Sequence, residues 1–120
     1  MLQEKSFASV KLLALNREQL LDKLIQITHQ LVNQHPEVLK VVLIGSLARG
    51  DQVGTSDVDI VVIVKEKPRD YFDHLQRYLS YFDLPIGVDM LLFSQDDVTG
   101  FEKSANPFWK IIEKEGIILT

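Results

Sequence analysis

Between Pro36 and Gly45 lies Lys40-Val41-Val42-Leu43-Ile44, an apolar run too short for a helix between its proline and its glycine. Its β-branched content and lack of alternation predict a strand over Lys40 to Gly45 that is buried on both faces. A second apolar run, Val58 to Val64, stops near Pro68, and a third spans Ile86 to Phe93 after Pro85. Both read as strands. Between the first two strands, Ser46 to Ser56 carries Gly50 and Gly54 and reads as a connecting segment.

The cover for these strands is also visible. Leu20, Leu21, Leu24, Ile27, Leu31 and Val32 recur at helical spacing, with Asn16 as cap, Gln19 three positions on and Pro36 beyond the end. Arg69 to Phe82 predicts a second helix with Phe72, Leu75, Leu79 and Phe82 on its inner side. Ser94 can cap a short helical turn, and Pro107 can open a last helix through Lys114, with Gly116 at its C-cap and Ile117 to Leu119 as a final short strand. No repeat, linker or low-complexity segment interrupts the chain, so a single domain over residues 1–120 is expected.

Composition narrows the function classes. With 13 Lys+Arg against 17 Asp+Glu, the formal charge of −4 disfavours long-duplex binding, which rests on cations neutralising phosphates. No apolar stretch approaches the ~20 residues of a membrane span. Lys5 and Lys11 interrupt the N-terminal stretch where a signal peptide would be apolar, so a cytoplasmic protein is expected. Without cysteine there is no thiol catalysis and no Cys-ligated metal.

The chemistry concentrates in Gly45-Ser46-Leu47-Ala48-Arg49-Gly50 and, beyond Thr55-Ser56, in Asp57-Val58-Asp59. Side chains alternate along a strand, so Asp57 and Asp59 project from one face while Val58 and Ile60 enter the other. Two carboxylates about 6–7 Å apart at Cα suit Mg²⁺, which keeps several waters and takes further oxygens from nucleotide phosphates. Asp89 interrupts the third apolar run, where a charge is costly unless paired or metal-bound. If that strand lies beside the Asp57/Asp59 strand, a carboxylate triad results, with Asp89 placed to take a proton from an attacking hydroxyl.

Gly45-Ser46, ten residues, Asp57-Val58-Asp59 and the later strand carboxylate Asp89 together resemble the nucleotidyltransferase superfamily of DNA polymerase β. The short length resembles its minimal nucleotidyltransferase branch. The likeness covers about residues 41–93, with Asn106-Pro107-Phe108-Trp109-Lys110-Ile111 as a further, less diagnostic match. It implies an α+β nucleotidyltransferase fold, a short mixed β-sheet flanked by helices. By the same likeness Gly45 would let the backbone approach the triphosphate, Ser46 would bond a phosphate oxygen, and Asp57, Asp59 and Asp89 would ligate two Mg²⁺ ions. Arg49 is added as a triphosphate contact because a guanidinium matches phosphate geometry.

The reaction so implied moves a nucleoside monophosphate, AMP from ATP in the first instance, to an acceptor hydroxyl. Larger relatives carry an extra domain for the second substrate, so a partner is expected to supply it. For the minimal branch that is a small helical protein of the HEPN type, modified on tyrosine by an antitoxin-like enzyme. Two alternatives stay open: a non-catalytic subunit that neutralises a partner by docking, and transfer to a small molecule such as an aminoglycoside. Nucleic acid is not the expected substrate, and homo-oligomerisation is undecided.

Other patterns fail or favour plain structure. Gly45 and Gly50 have P-loop spacing, yet Asp51-Gln52 stands where Lys-Ser/Thr is required. The calcium loop fails at Val61 and Val62, and no dinucleotide fingerprint is present. Asp96-Asp97 fits helix-dipole complementation after Ser94, and Ser46 could cap a following helix. His29, His35 and His74 share no metal spacing and read as surface residues, while Phe101, Phe108 and Trp109 default to core, with a partner surface formed by some of them as the alternative.

Overall fold

The computed structural model describes residues 17–51 and 57–120. The predicted cap Asn16, the stretch Met1 to Leu15, and Gly54 to Ser56 lie outside the described residues. In chain order the elements are α1 (Arg17–Gln34), β1 (Val38–Ile44), α2 (Gly45–Arg49), β2 (Val58–Val64), α3 (Tyr71–Leu79), β3 (Val88–Ser94), α4 (Gln95–Lys103), α5 (Pro107–Glu115) and β4 (Ile117–Ile118). The strands form one sheet in the order β3-β2-β1-β4. β1 is antiparallel to β2 and β4, whereas β2 and β3 run parallel, which requires the crossover that α3 supplies. This is the mixed, helix-flanked α+β sheet that the sequence predicts.

Strand alternation divides the core into two layers. Val58, Ile60, Val62 and Val64 of β2 pack with Leu20, Leu24 and Leu31 of α1 and Tyr78 of α3. Val61 and Ile63 face the other way, onto Val98 of α4 and Trp109 and Ile112 of α5. Six of the seven β2 residues are buried, and the one that is not is Asp59. A strand enclosed on both sides thus opens to solvent at its candidate metal ligand.

Local chemistry sets the element ends. Ser94 caps α4 in a reciprocal box with Asp97, and Asn106 caps α5 ahead of Pro107. Gly116 is the C-cap of α5, as the sequence predicts, with an ordinary φ of −68° that any residue can adopt. A Cβ there would lie 2.5 Å from the Ile112 carbonyl oxygen and 2.6 Å from Val42 Cγ1, and this crowding excludes a side chain.

Several expectations are corrected. Of the predicted inner side of α3, Leu75 and Phe82 do pack into the core, but Phe72 is 77% exposed, and Tyr71 and Tyr78 take the remaining inner places. The buried Tyr78 hydroxyl donates to Glu37 Oε2 at 2.7 Å, and burial together with that bond pushes the tyrosine pKa up. His35 is half-buried rather than superficial, between Glu37 and the Tyr81 hydroxyl at 3.2 Å from each. Trp109 is core, but Phe108 is 46% exposed. The segment after β1 begins as the short helix α2 instead of a loop, with Ile44 at its N-cap; Ser46 lies inside the helix and caps nothing.

Candidate active site

In the parallel β2–β3 ladder Asp59 stands opposite Asp89, and in the antiparallel β1–β2 ladder it stands opposite Ile44. Neighbouring strands lie about 4.8 Å apart, so the two carboxylates start from adjacent positions on one face. Asp57 precedes β2 by one residue, and strand alternation directs it to that face too. Burial and the charges of Asp89 and Asp57 raise the pKa of Asp59, against a smaller opposing effect of Arg49. The side chain most in need of a counter-cation is therefore the central one.

The burial argument for Asp89 is corrected. β3 is an edge strand and Asp89 is exposed, so its charge is solvated and carries little desolvation cost. The desolvated carboxylate is Asp59, enclosed by β1 on one side and β3 on the other.

Two glycines make room for the acids. Gly45 turns the chain from β1 into α2 at φ +78°, a left-handed conformation, and a Cβ there would lie 2.5 Å from Asp59 Oδ2. Gly87, just before β3, leaves a similar space: a Cβ would lie 2.6 Å from Asp57 Oδ1. The sequence reading found Gly45 and missed Gly87, although its place two residues before Asp89 was a usable signal.

Arg49 ends α2 with Nε 3.1 Å from Asp51 Oδ2 and Nη1 3.7 Å from Glu115 Oε2. Both pairs are exposed, which leaves the guanidinium free to exchange partners at little cost. It helps line a cavity of about 420 Å³ shared with Gly45, Asp59 and Asp89. The far wall is apolar: Leu91, Phe108 and Ile111, each more than two-fifths exposed. Phe108 and Ile111 were noted in the sequence as part of the Asn106–Ile111 match, but their place on this wall, like that of Leu91 on β3 and of Glu115, was not, because an apolar residue on a helix or strand carries no mark of exposure.

Ser46 is half-buried in the first turn of α2, beside Gly45. Among the described residues no three His, Cys, Asp or Glu side chains are already gathered as a metal cage. Asp59 leans toward the β1 side at Gly45 and Asp57 toward the β3 side at Gly87, a spread that like charges favour. The donor set nonetheless fits a hard divalent cation, since it is oxygen only, uniformly anionic and raised in proton affinity at its centre.

Residues 22–120 match the family model for polymerase beta nucleotidyltransferases. No curated protein matches the chain. Among solved structures, a candidate nucleotidyltransferase from Sulfolobus solfataricus is similar at a TM-score of 0.54 and 22% identity, over 98% of this chain and 84% of that one. A toxin–antitoxin crystallised with AMP-PNP is similar at a TM-score of 0.52 and 19% identity, over 80% of this chain and 72% of that one. At these identities the two structures speak for the fold.

Proposed function

The chain belongs to the polymerase beta nucleotidyltransferase family, and on that premise we propose that it transfers AMP from ATP to an acceptor hydroxyl with the help of Mg²⁺. The observation that carries the reading is the register of Asp59 with Asp89, beside a glycine whose missing side chain makes room for the Asp59 carboxylate.

Asp57, Asp59 and Asp89 would hold two Mg²⁺ ions, whose chemistry is to neutralise the attacking and departing oxygens. The Ser46 hydroxyl donates to a phosphate oxygen, and Arg49 leaves Asp51 or Glu115 to pair with the triphosphate. Asp89, solvated and at the sheet edge, accepts the proton of the acceptor hydroxyl as its oxygen attacks the α-phosphorus and pyrophosphate leaves. The exposed wall of Leu91, Phe108 and Ile111 gives the acceptor an apolar surface beside the acids.

We assign the acceptor to a tyrosine of a small helical HEPN-type partner, with this chain as the antitoxin. The similarity to a structure of a toxin–antitoxin with AMP-PNP supports that assignment. The test is incubation with ATP labelled at the α- or the γ-phosphate, with Mg²⁺ and a protein co-purified from the source cell. The reading expects α-label on the partner and γ-label released in pyrophosphate. Label on an added aminoglycoside supports small-molecule transfer, and no transfer from either ATP supports a docking subunit.

A further inference from the structure

The last carbonyls of a helix have no partner within it and must find one elsewhere. In α2 the Ser46 carbonyl accepts from the amides of Gly50 and Asp51, at 2.9 and 3.1 Å. The next two are taken by a side chain 30 residues back in the chain. Arg17, at the start of α1, donates from Nε and Nη2 to the Leu47 carbonyl at 3.0 and 2.9 Å, and from Nη2 to the Ala48 carbonyl at 3.2 Å. A cation at this end of a helix also opposes the dipole favourably. The forked geometry is specific to a guanidinium, because an ammonium is a compact point charge.

This contact has a functional consequence because of what α2 carries. The helix is five residues long; it lines the candidate site with Gly45 and Arg49 and carries Ser46, the proposed phosphate donor, between them. Leu47 and Ala48 bury their side chains in the core while their carbonyls point to Arg17, so apolar packing and the guanidinium grip the helix from different sides. Without the guanidinium those two carbonyls lose their side-chain partner, and the orientation of Ser46 and Arg49 loosens while the acids on β2 and β3 stay in place.

We infer that Arg17 is a positioning residue of the nucleotide site, clamping the C-terminal carbonyls of α2 so that Ser46 and Arg49 are pre-set for the triphosphate. The inference rests on the reading of α2 as the triphosphate-binding turn, and two measurements separate the clamp from that reading. The first is affinity for Mg·ATP and for adenosine in the wild type, Arg17→Lys and Arg17→Met, at a temperature well below every Tm. The expected result is a roughly tenfold loss for Mg·ATP in Arg17→Met, equivalent to about 1.4 kcal/mol, a smaller loss in Arg17→Lys and no change for adenosine. Millimolar ethylguanidinium restores Mg·ATP affinity to an Arg17→Ala variant. A lowered Tm with unchanged Mg·ATP affinity overturns the positioning role and leaves a plain helix cap.

The second measurement is hydrogen exchange at the Gly50 and Asp51 amides, without nucleotide. The clamp predicts faster exchange in Arg17→Met, and unchanged protection overturns it. If the wild type itself fails to bind Mg·ATP, the positioning role falls together with the functional reading, and the exchange rates still decide whether Arg17 holds α2.

Discussion

Gly45 and Gly50 bracket α2, and both take left-handed φ values, +78° and +83°. Alanine at either position therefore adds about 1–2 kcal/mol of backbone strain, which lowers Tm by roughly 5–10 °C in a domain of this size. Their surroundings differ sharply. A methyl group at position 45 would lie 2.5 Å from Asp59 Oδ2, whereas at position 50 the nearest atoms belong to Arg17, at 3.9 Å, an ordinary contact. Because the obstructed atom is the end of a side chain, it can swing aside, so the added loss of stability is small. The carboxylate then leaves the place a metal ion would need it. Thermal melting and Mg·ATP calorimetry on Gly45→Ala and Gly50→Ala separate the two effects. Both variants should lose similar Tm, and Gly45→Ala alone should lose at least about tenfold in Mg·ATP affinity, or about 1.4 kcal/mol. Equal affinity losses in the two variants, or none in Gly45→Ala, would refute the coupling between this glycine and Asp59.

Asp59 has a raised pKa, so the folded protein holds its proton more tightly than the unfolded chain does, and the ionised carboxylate costs stability at neutral pH. Metal-free Asp59→Asn should therefore melt no lower than wild type at pH 7. Its advantage should shrink as the pH falls through the raised pKa toward the ordinary aspartate value; a lower Tm at pH 7 would contradict this. Asp89→Asn should keep most Mg·ATP affinity but lose about 10²–10⁴ in transfer rate, with metal-free stability within about 0.5 kcal/mol of wild type because the side chain is exposed; wild-type turnover would remove Asp89 from the mechanism. Tyr78→Phe removes the bond to Glu37, which precedes β1 at the end away from Ile44 and Asp59. It should lose about 1 kcal/mol of stability and leave Mg·ATP affinity unchanged, and a changed affinity would tie that network to the site.

The strands were legible because burial on both faces leaves uninterrupted apolar runs, as in Val41 to Ile44, and Asp59 and Asp89 were legible as the charges that break such runs. What escaped depends on contacts between distant parts of the chain. Whether Asp89 is enclosed or solvated turns on β3 being an edge strand, which the order of the runs does not state. α2 is too short for helical periodicity to register, and its glycine start resembles a turn. Gly87 and Arg17 act through close approach to Asp57 and to the Leu47 and Ala48 carbonyls, and single-residue chemistry does not announce either contact. Tyr78 was passed over and Phe72 overvalued because a tyrosine hydroxyl does not announce its buried acceptor, Glu37, 41 residues back in the chain.

The central claim is that the acids lining this face form a Mg·nucleotide site. Its most direct test is calorimetric titration of ATP into the wild type and into the Asp57→Asn/Asp59→Asn double variant, each in Mg²⁺ and in EDTA, with circular dichroism to confirm that both are folded. The account predicts binding by the wild type in Mg²⁺ only, and none by the folded double variant in either condition. Equal Mg·ATP affinity in the two proteins would contradict it.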